Sequence, residues 1–251
     1  MASGRPIFGI LALFFTAGAL VLMYLTLLGG ANNHVPLNEI YFLQANTSNI
    51  PGAPSISRWT FWNICSVSDG KSQCGTTHPD FPFDPPSSQN FGTDTNIPAA
   101  FIGTRHYYLL SRFMFPFMLI ALFFATLSLF LGVVAPCTRI GSYLSGLLGS
   151  IAWVFQVITT TLMTACFVQG RHHFNSNGQS AKLGPKAFGF MWTALTLLTL
   201  SSVLYCMGGA AGRSSSSGYT GRETRRRGFF ASRRSSTKSH GSTRSKREDE
   251  V

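Results

Sequence analysis

Four stretches of this chain are long and apolar enough to cross a membrane, and they constrain its fold more than any other feature. They are residues 7–28, 113–134, 143–168 and 187–207, and none has a charged residue or a histidine in its interior. About 20 helical residues span a hydrocarbon core of about 30 Å. Because hydrocarbon offers backbone polar groups no other partner, we expect each stretch to be a helix. The sequence therefore predicts an α-helical membrane protein, a bundle of four transmembrane helices.

Charge is unevenly spread along the chain. The net charge is +11, yet only 12% of the residues are charged, and 11 of the 20 Lys and Arg residues follow Gly208. A typical soluble domain has about 25% charged residues. This asymmetry indicates a membrane-embedded body with a basic tail, and the apolar body argues against nucleic-acid binding.

The positive-inside rule predicts the orientation of the four spans. An uncleaved first span is expected, since about 22 apolar residues exceed the usual length of a signal-peptide core. The cytosolic segments are then residues 1–6, loop 135–142 and tail 208–251, each of which carries basic residues. The extracellular segments are a large domain at 29–108 and a short loop at 169–186. Three basic residues in the short loop count against this orientation: Arg171, Lys182 and Lys186.

The extracellular domain holds a pattern typical of a disulfide-closed hairpin. Asp69-Gly70 is a preferred pair for a two-residue type I′ turn, because both positions need positive φ. A turn centred there places Cys65 directly opposite Cys74, at a non-hydrogen-bonded pair with Cα atoms about 4.5 Å apart. That spacing suits a disulfide, and the extracellular side is oxidising. We expect Trp59 and Trp62, just upstream, to pack on this hairpin or at the membrane surface rather than to bind a ligand.

Trp62-x-x-Cys65 followed by Cys74 resembles the W-x-x-C…C signature of the claudin-like superfamily. Within it, three stretches resemble the fungal Sur-seven/PalI family: PLNEIYFLQANTS at 36–48 with IPGA at 50–53, RWTFWNIC at 58–65, and LGPKAFGFMWTA at 183–194. The likeness covers residues 5–210. The chain departs from claudins, in which the partner tryptophan lies far upstream, whereas here Trp59 is close by. Claudin-type junction behaviour is therefore not expected.

The resemblance implies a fold and a role. The fold is a four-helix bundle with a small extracellular antiparallel sheet. Better-known members of the family occupy plasma-membrane compartments associated with eisosomes and affect membrane organisation, endocytosis and cell-wall growth. The PalI branch takes part in ambient-pH signalling and generally has a long cytosolic tail. The short tail here favours the Sur-seven branch, with a PalI-type accessory subunit as the alternative.

Two kinds of covalent modification are predicted. Asn46 begins an Asn-Thr-Ser sequon in the extracellular domain, so it is a candidate for N-glycosylation. Cys137 and Cys206 fall at the cytosolic ends of the second and fourth spans, where palmitoylation occurs, although simple apolar packing is an alternative for both. Cys166 is expected in the core.

Small residues recur every four positions at the start of the third span, at Gly141, Ser145 and Gly149. Such a ridge lets another helix approach closely. The partner is expected within the same bundle, and self-association through this face is the alternative. Gln156 lies deep in the same span and is expected to hydrogen-bond within the bundle.

The tail is predicted to be disordered, because it has too few apolar residues to offset the entropy of ordering. Its arginine cluster is expected to contact the anionic inner leaflet, with two phenylalanines entering the interface. The alternative is that the cluster only sets the topology. Two serines beside it are candidate phosphorylation sites, and phosphate there would weaken lipid contact. The residues are Arg222, Arg225, Arg226, Arg227, Arg233 and Arg234; Phe229 and Phe230; Ser235 and Ser236.

No catalytic or metal-binding constellation is evident in the sequence. His172 and His173 are adjacent, so their side chains point in different directions, and a solvated loop is expected rather than a metal site. The spans hold none of the ionisable groups that transporters use. We therefore expect a non-enzymatic protein without a cofactor, whose partners are membrane lipids, including sphingolipid- or sterol-rich patches, eisosome-associated proteins and further copies of itself.

Overall fold

The computed structural model describes residues 4–134 and 139–210. Four helices in this part of the chain are long and apolar enough to span a membrane, which confirms the four-span prediction. They are α1 (Gly4–Leu28), α2 (His106–Val134), α3 (Arg139–Ser176) and α4 (Pro185–Ala210).

All four helices extend beyond the apolar windows that predicted them, and α2 and α3 extend furthest. α2 begins at His106 instead of residue 113, and α3 continues to Ser176 instead of residue 168. The extension of α3 places His173 within the helix, half-buried, with its ring 5.8 Å from that of Phe101. The prediction of a solvated loop was therefore wrong at this position, because the fully buried Phe174 holds the end of α3 against the core.

Hydroxyl side chains join the helices inside the bundle. Thr16 of α1 and Ser201 of α4 have their oxygens 2.6 Å apart. Ser128 of α2 donates to the carbonyl of Ser145 in α3 at 2.9 Å, and Ser145 donates back to the Ser128 carbonyl at 2.8 Å. Such bonds stabilise membrane bundles, where no hydrophobic drive pulls helices together.

The small-residue ridge of α3 therefore packs within the bundle. Ser145 is fully buried against Ser128. A Cβ added at Gly149 would lie 3.1 Å from the Ser128 hydroxyl, so the glycine allows the close approach. α2 therefore covers the ridge from Ser145 to Gly149.

Within the described ranges, the segments that join α1 to α2 and α3 to α4 form a five-stranded antiparallel sheet in the order β4-β3-β2-β1-β5. The strands are β1 (Leu43–Asn46), β2 (Ile56–Trp59), β3 (Ile64–Ser68), β4 (Lys71–Gln73) and β5 (Ala181–Leu183). β5 comes from the short segment between α3 and α4, so both connections on this side of the bundle contribute to the sheet. We call residues 29–105 and 177–184 the sheet domain.

An aromatic core fills the space between this sheet and the helices. Trp59 is 1% exposed, with its ring 5.3 Å from Phe83 and 5.6 Å from Phe174 of α3. Its indole nitrogen donates to the side-chain oxygen of Asn90 at 2.9 Å. The prediction that this tryptophan packs on the hairpin or at the membrane surface was wrong, because its partners come from the 83–91 segment and from α3.

Candidate functional site

The predicted hairpin is confirmed. Asp69 and Gly70 have φ of 51° and 76°, as the type I′ turn requires, and Ser68 pairs with Lys71 on either side of them. Cys65 and Cys74 form a disulfide with their Cα atoms 4.3 Å apart. The bond closes the open end of the β3–β4 ribbon, which would be marginally stable alone.

The segment that leaves α1 holds the same end of the hairpin. The Asn33 side chain donates to the Cys74 carbonyl at 3.1 Å and accepts from the Cys74 amide at 2.9 Å. These two bonds satisfy the backbone N–H and C=O of Cys74, which directly follows the edge strand β4. They therefore keep these groups from pairing with another chain.

Trp62 fastens the sheet domain to the membrane bundle. Its indole nitrogen donates to the carbonyl of Leu27 at 2.6 Å, and its ring packs edge-on against Phe115 of α2 at 5.8 Å. The last carbonyls of a helix have no partner within the helix, so the bond satisfies one at the end of α1. The tryptophan of the sequence motif therefore contacts two spans at once.

Arg58, in β2, is bonded to β1 and β4. Its side chain lies on the face of the sheet opposite to Trp59, since successive side chains of a strand point to opposite faces. Its guanidinium donates to the side-chain oxygen of Gln44 at 2.9 Å and to the Ser72 hydroxyl at 3.1 Å, and lies 4.3 Å over the Tyr41 ring. Burial lowers the pKa of this guanidinium. Arg58 was not predicted as a site residue, since a charged residue in a strand usually faces solvent and only the fold shows that this one is covered.

Arg112, at the sheet end of α2, fixes a second segment of the sheet domain. Its Nη1 donates to the carbonyl of Asp80 at 2.8 Å and to the carboxylate Oδ2 at 2.9 Å, while Nε donates to the Tyr108 hydroxyl at 3.2 Å. One residue earlier in α2, the Ser111 hydroxyl accepts from the Phe83 amide at 2.9 Å. The segment 80–83 is thereby docked on α2.

A cleft of about 350 Å³ opens beside this ion pair. Burial raises the pKa of the Asp80 carboxyl, and the neighbouring Arg112 charge only partly offsets that effect. The residues that line the cleft include His78, Asp80, Phe81, Ser88, Gln89 and Arg112. The cleft was not foreseen; the available signal was an isolated arginine directly before an apolar stretch.

A further ion pair joins the first segment of the sheet domain, 29–105, to α4. Glu39 and Lys186 are paired through Oε2 and Nζ. The hydrogen bond and charge of the lysine lower the pKa of the glutamate.

The remaining predicted residues are placed as follows. Asn46 is exposed at the end of β1, and its side-chain oxygen accepts from the Ser48 hydroxyl at 2.7 Å. Cys206 is exposed near the end of α4, while Cys166 is buried in α3, as expected. Gln156 is buried and donates to the Thr160 hydroxyl at 3.3 Å, within its own helix.

Several predicted residues lie outside the described part of the chain. They are Cys137 and the whole tail set, from Arg222 to Ser236. Among residues 4–134 and 139–210, no group of three or more His, Cys, Asp or Glu could hold a metal ion.

Four spanning helices that carry a disulfide-closed antiparallel sheet define a tetraspan membrane protein. The model of the SUR7/PalI family matches residues 8–204, and the chain belongs to that family. It is 37% identical to Protein SUR7 of Candida albicans over 206 residues, which is 81% of this chain and 75% of that protein.

Two relatives from Saccharomyces cerevisiae support the same family assignment. The chain is 36% identical to the SUR7 family protein FMP45, over 77% of this chain and 63% of that protein. It is 33% identical to the plasma membrane protein YNL194C, over 76% of this chain and 64% of that protein. The match thus spans less than two thirds of these two relatives.

Proposed function

We propose that this protein is a non-enzymatic tetraspan that organises a domain of the plasma membrane. This domain is a compartment associated with eisosomes. Through it, the protein affects membrane organisation, endocytosis and cell-wall growth. The observation that carries the proposal is a sheet domain fastened to the spans at Trp62, Arg112 and Lys186. Such a body presents one fixed surface beside the membrane.

The relatives support both the compartment and the branch. Two of the relatives carry the SUR7 name, and a third is described as a plasma membrane protein. This favours the Sur-seven role over the PalI role.

The proposed orientation places the sheet domain outside the cell and both termini in the cytosol. The Cys65–Cys74 disulfide supports it, because disulfides persist in oxidising compartments. The basic tail supports it through the positive-inside rule and through attraction to anionic inner-leaflet lipid.

Lateral association would use the lipid-facing sides of the helices. The small-residue ridge of α3 is occupied by α2, so it is not free for a second copy. Eisosome-associated proteins and sphingolipid- or sterol-rich lipid are the partners that we propose for the remaining faces.

The test is fluorescence recovery after photobleaching of a C-terminally tagged chain in living fungal cells. We expect stable cortical patches that recover slowly and coincide with an eisosome marker, because a domain organiser exchanges slowly. A uniform, mobile signal or an endosomal one would overturn the proposal and would favour a PalI-type accessory subunit in pH signalling.

A further inference from the structure

The cleft beside Arg112 lies where two membrane spans end. The Trp62 carbonyl accepts from the amide of His78, which lines the cleft, at 2.9 Å. The Trp62 side chain donates to Leu27 in the last turn of α1 and packs on Phe115 of α2. Arg112 directly precedes the apolar stretch of α2 that begins at residue 113. Tryptophan and arginine both favour the headgroup level of a bilayer. The cleft is therefore at headgroup depth, on the sheet side of the membrane.

Lipid can reach this position along α2. Leu109 and Phe113, on either side of Arg112, are 46% and 51% exposed. Apolar side chains exposed at the end of a membrane span lie against acyl chains or at the interface. A lipid whose acyl chains contact Phe113, the deeper of the two residues, would bring its headgroup to the level of Arg112 and the cleft.

The polar groups of the cleft fit a phosphate. Nη1 and Nε of Arg112 are already bonded, whereas Nη2 has no hydrogen-bond partner within the described ranges. A guanidinium with a free donor is well suited to phosphate. The exposed side chains of Ser88 and Gln89 line the same cleft and offer further donors.

The charge of the cleft selects among phosphate headgroups. Arg112 is paired with Asp80, so the two charges nearest the cleft sum to zero. A headgroup with only negative charge would be attracted by the arginine and repelled by the aspartate. A zwitterionic headgroup places its phosphate on the arginine and its ammonium beside the aspartate, so both charges keep a partner.

We propose that this cleft binds the headgroup of a zwitterionic phospholipid, with the phosphate on Arg112 and the ammonium towards Asp80. The inference deepens the proposed function and rests on it for the choice of leaflet, which is the outer one. It gives the organiser a defined lipid ligand in the outer leaflet.

The test measures binding of a short-chain phosphatidylcholine to the purified full-length protein in detergent, by native mass spectrometry across a lipid titration. Arg112→Gln should weaken binding about ten-fold or more, since a charge-assisted hydrogen bond is lost. Lys71→Gln removes one positive charge from an exposed position in β4 and should leave the affinity unchanged.

A second variant covers the case in which Arg112→Gln fails to fold. Ser88→Trp puts an indole in the cleft without touching the ion pair, and should weaken phosphatidylcholine binding to a similar degree. Phosphatidylglycerol should bind the wild-type protein more weakly than phosphatidylcholine, while diacylglycerol and inorganic phosphate should not compete. Equal binding of phosphatidylcholine by wild type and Ser88→Trp would overturn the proposal, as would equal competition by phosphate or diacylglycerol.

The cellular experiment separates this inference from the proposed function. If Ser88→Trp loses lipid binding while the tagged wild-type protein forms slow-recovering patches, the results support both the lipid site and the domain-organising role. Patches without any lipid effect of Arg112→Gln or Ser88→Trp would overturn the lipid site alone. Lipid binding without patches would overturn the domain-organising role alone.

Discussion

Gly30, just after α1, occupies a conformation and a space that exclude a side chain. Its φ is +78°, and an added Cβ would lie 2.6 Å from the Cβ of Thr60. Thr60 has little freedom to move, because its hydroxyl accepts from the amides of Trp62 and Asn63 and donates to the Asn63 carbonyl. The glycine thus lets the chain leaving α1 pass directly beneath the tryptophan motif.

Gly30→Ala should therefore lower the free energy of unfolding by about 2–4 kcal/mol, the sum of a left-handed backbone and an overpacked contact. Gly52→Ala is the matched control, since Gly52 has the same φ of +78° with nothing within 4 Å of an added Cβ. It should cost only about 1 kcal/mol. Thermal unfolding in detergent, followed by circular dichroism, measures both, and equal losses would show that Thr60 does not restrict this site.

At the scale of elements, Trp62 links the sheet to the end of α1. Trp62→Phe keeps a ring against Phe115 but removes the donor to the Leu27 carbonyl. We expect a loss of about 1–2 kcal/mol, because a helix-end carbonyl is left without its partner. Trp192→Phe is the control, at a position 49% exposed on α4. If both changes had the same small effect in denaturation experiments, the indole bond would not fasten the domain.

The β3–β4 hairpin should depend on its disulfide. Replacing Cys65 and Cys74 by serine together opens a link across nine sequence positions, and should cost about 2–3 kcal/mol. Hydrogen exchange should rise mainly in β3 and β4 and little in β1, which is paired on both sides. Cys206→Ser, which leaves the disulfide intact, should change neither quantity. Uniform exchange across the sheet in the double variant would contradict this local role.

Local patterns predicted the helices and this hairpin, whereas pairings between distant segments were not predictable. The Asp69-Gly70 turn sets the register of β3 and β4 through adjacent residues. By contrast, β5 joins β1 across more than a hundred residues, through pairs such as Leu43 with Leu183. Only the folded bundle brings those segments together. The same holds for the cleft, whose Arg112 and Asp80 come from separate elements.

At the scale of the whole molecule, the two ends of the bundle are chemically different. One end carries the disulfide and the sheet domain, and the other carries Cys206 near the end of α4. The proposed orientation puts the first end outside the cell. An exposed cysteine introduced in the sheet domain should then react with a reagent added outside, while Cys206 should not.

Thr95→Cys supplies that probe, because Thr95 is exposed and its own side chain makes no hydrogen bond within the described residues. In intact spheroplasts, a membrane-impermeant maleimide should label this variant and not the wild-type protein. After permeabilisation the wild-type protein should be labelled at Cys206, with Cys206→Ser as the control for that site. If Cys206 is palmitoylated, its labelling should also need hydroxylamine, which cleaves the thioester. Labelling of Cys206 from outside, with Thr95→Cys protected, would reverse the orientation, and the lipid cleft would then face the inner leaflet.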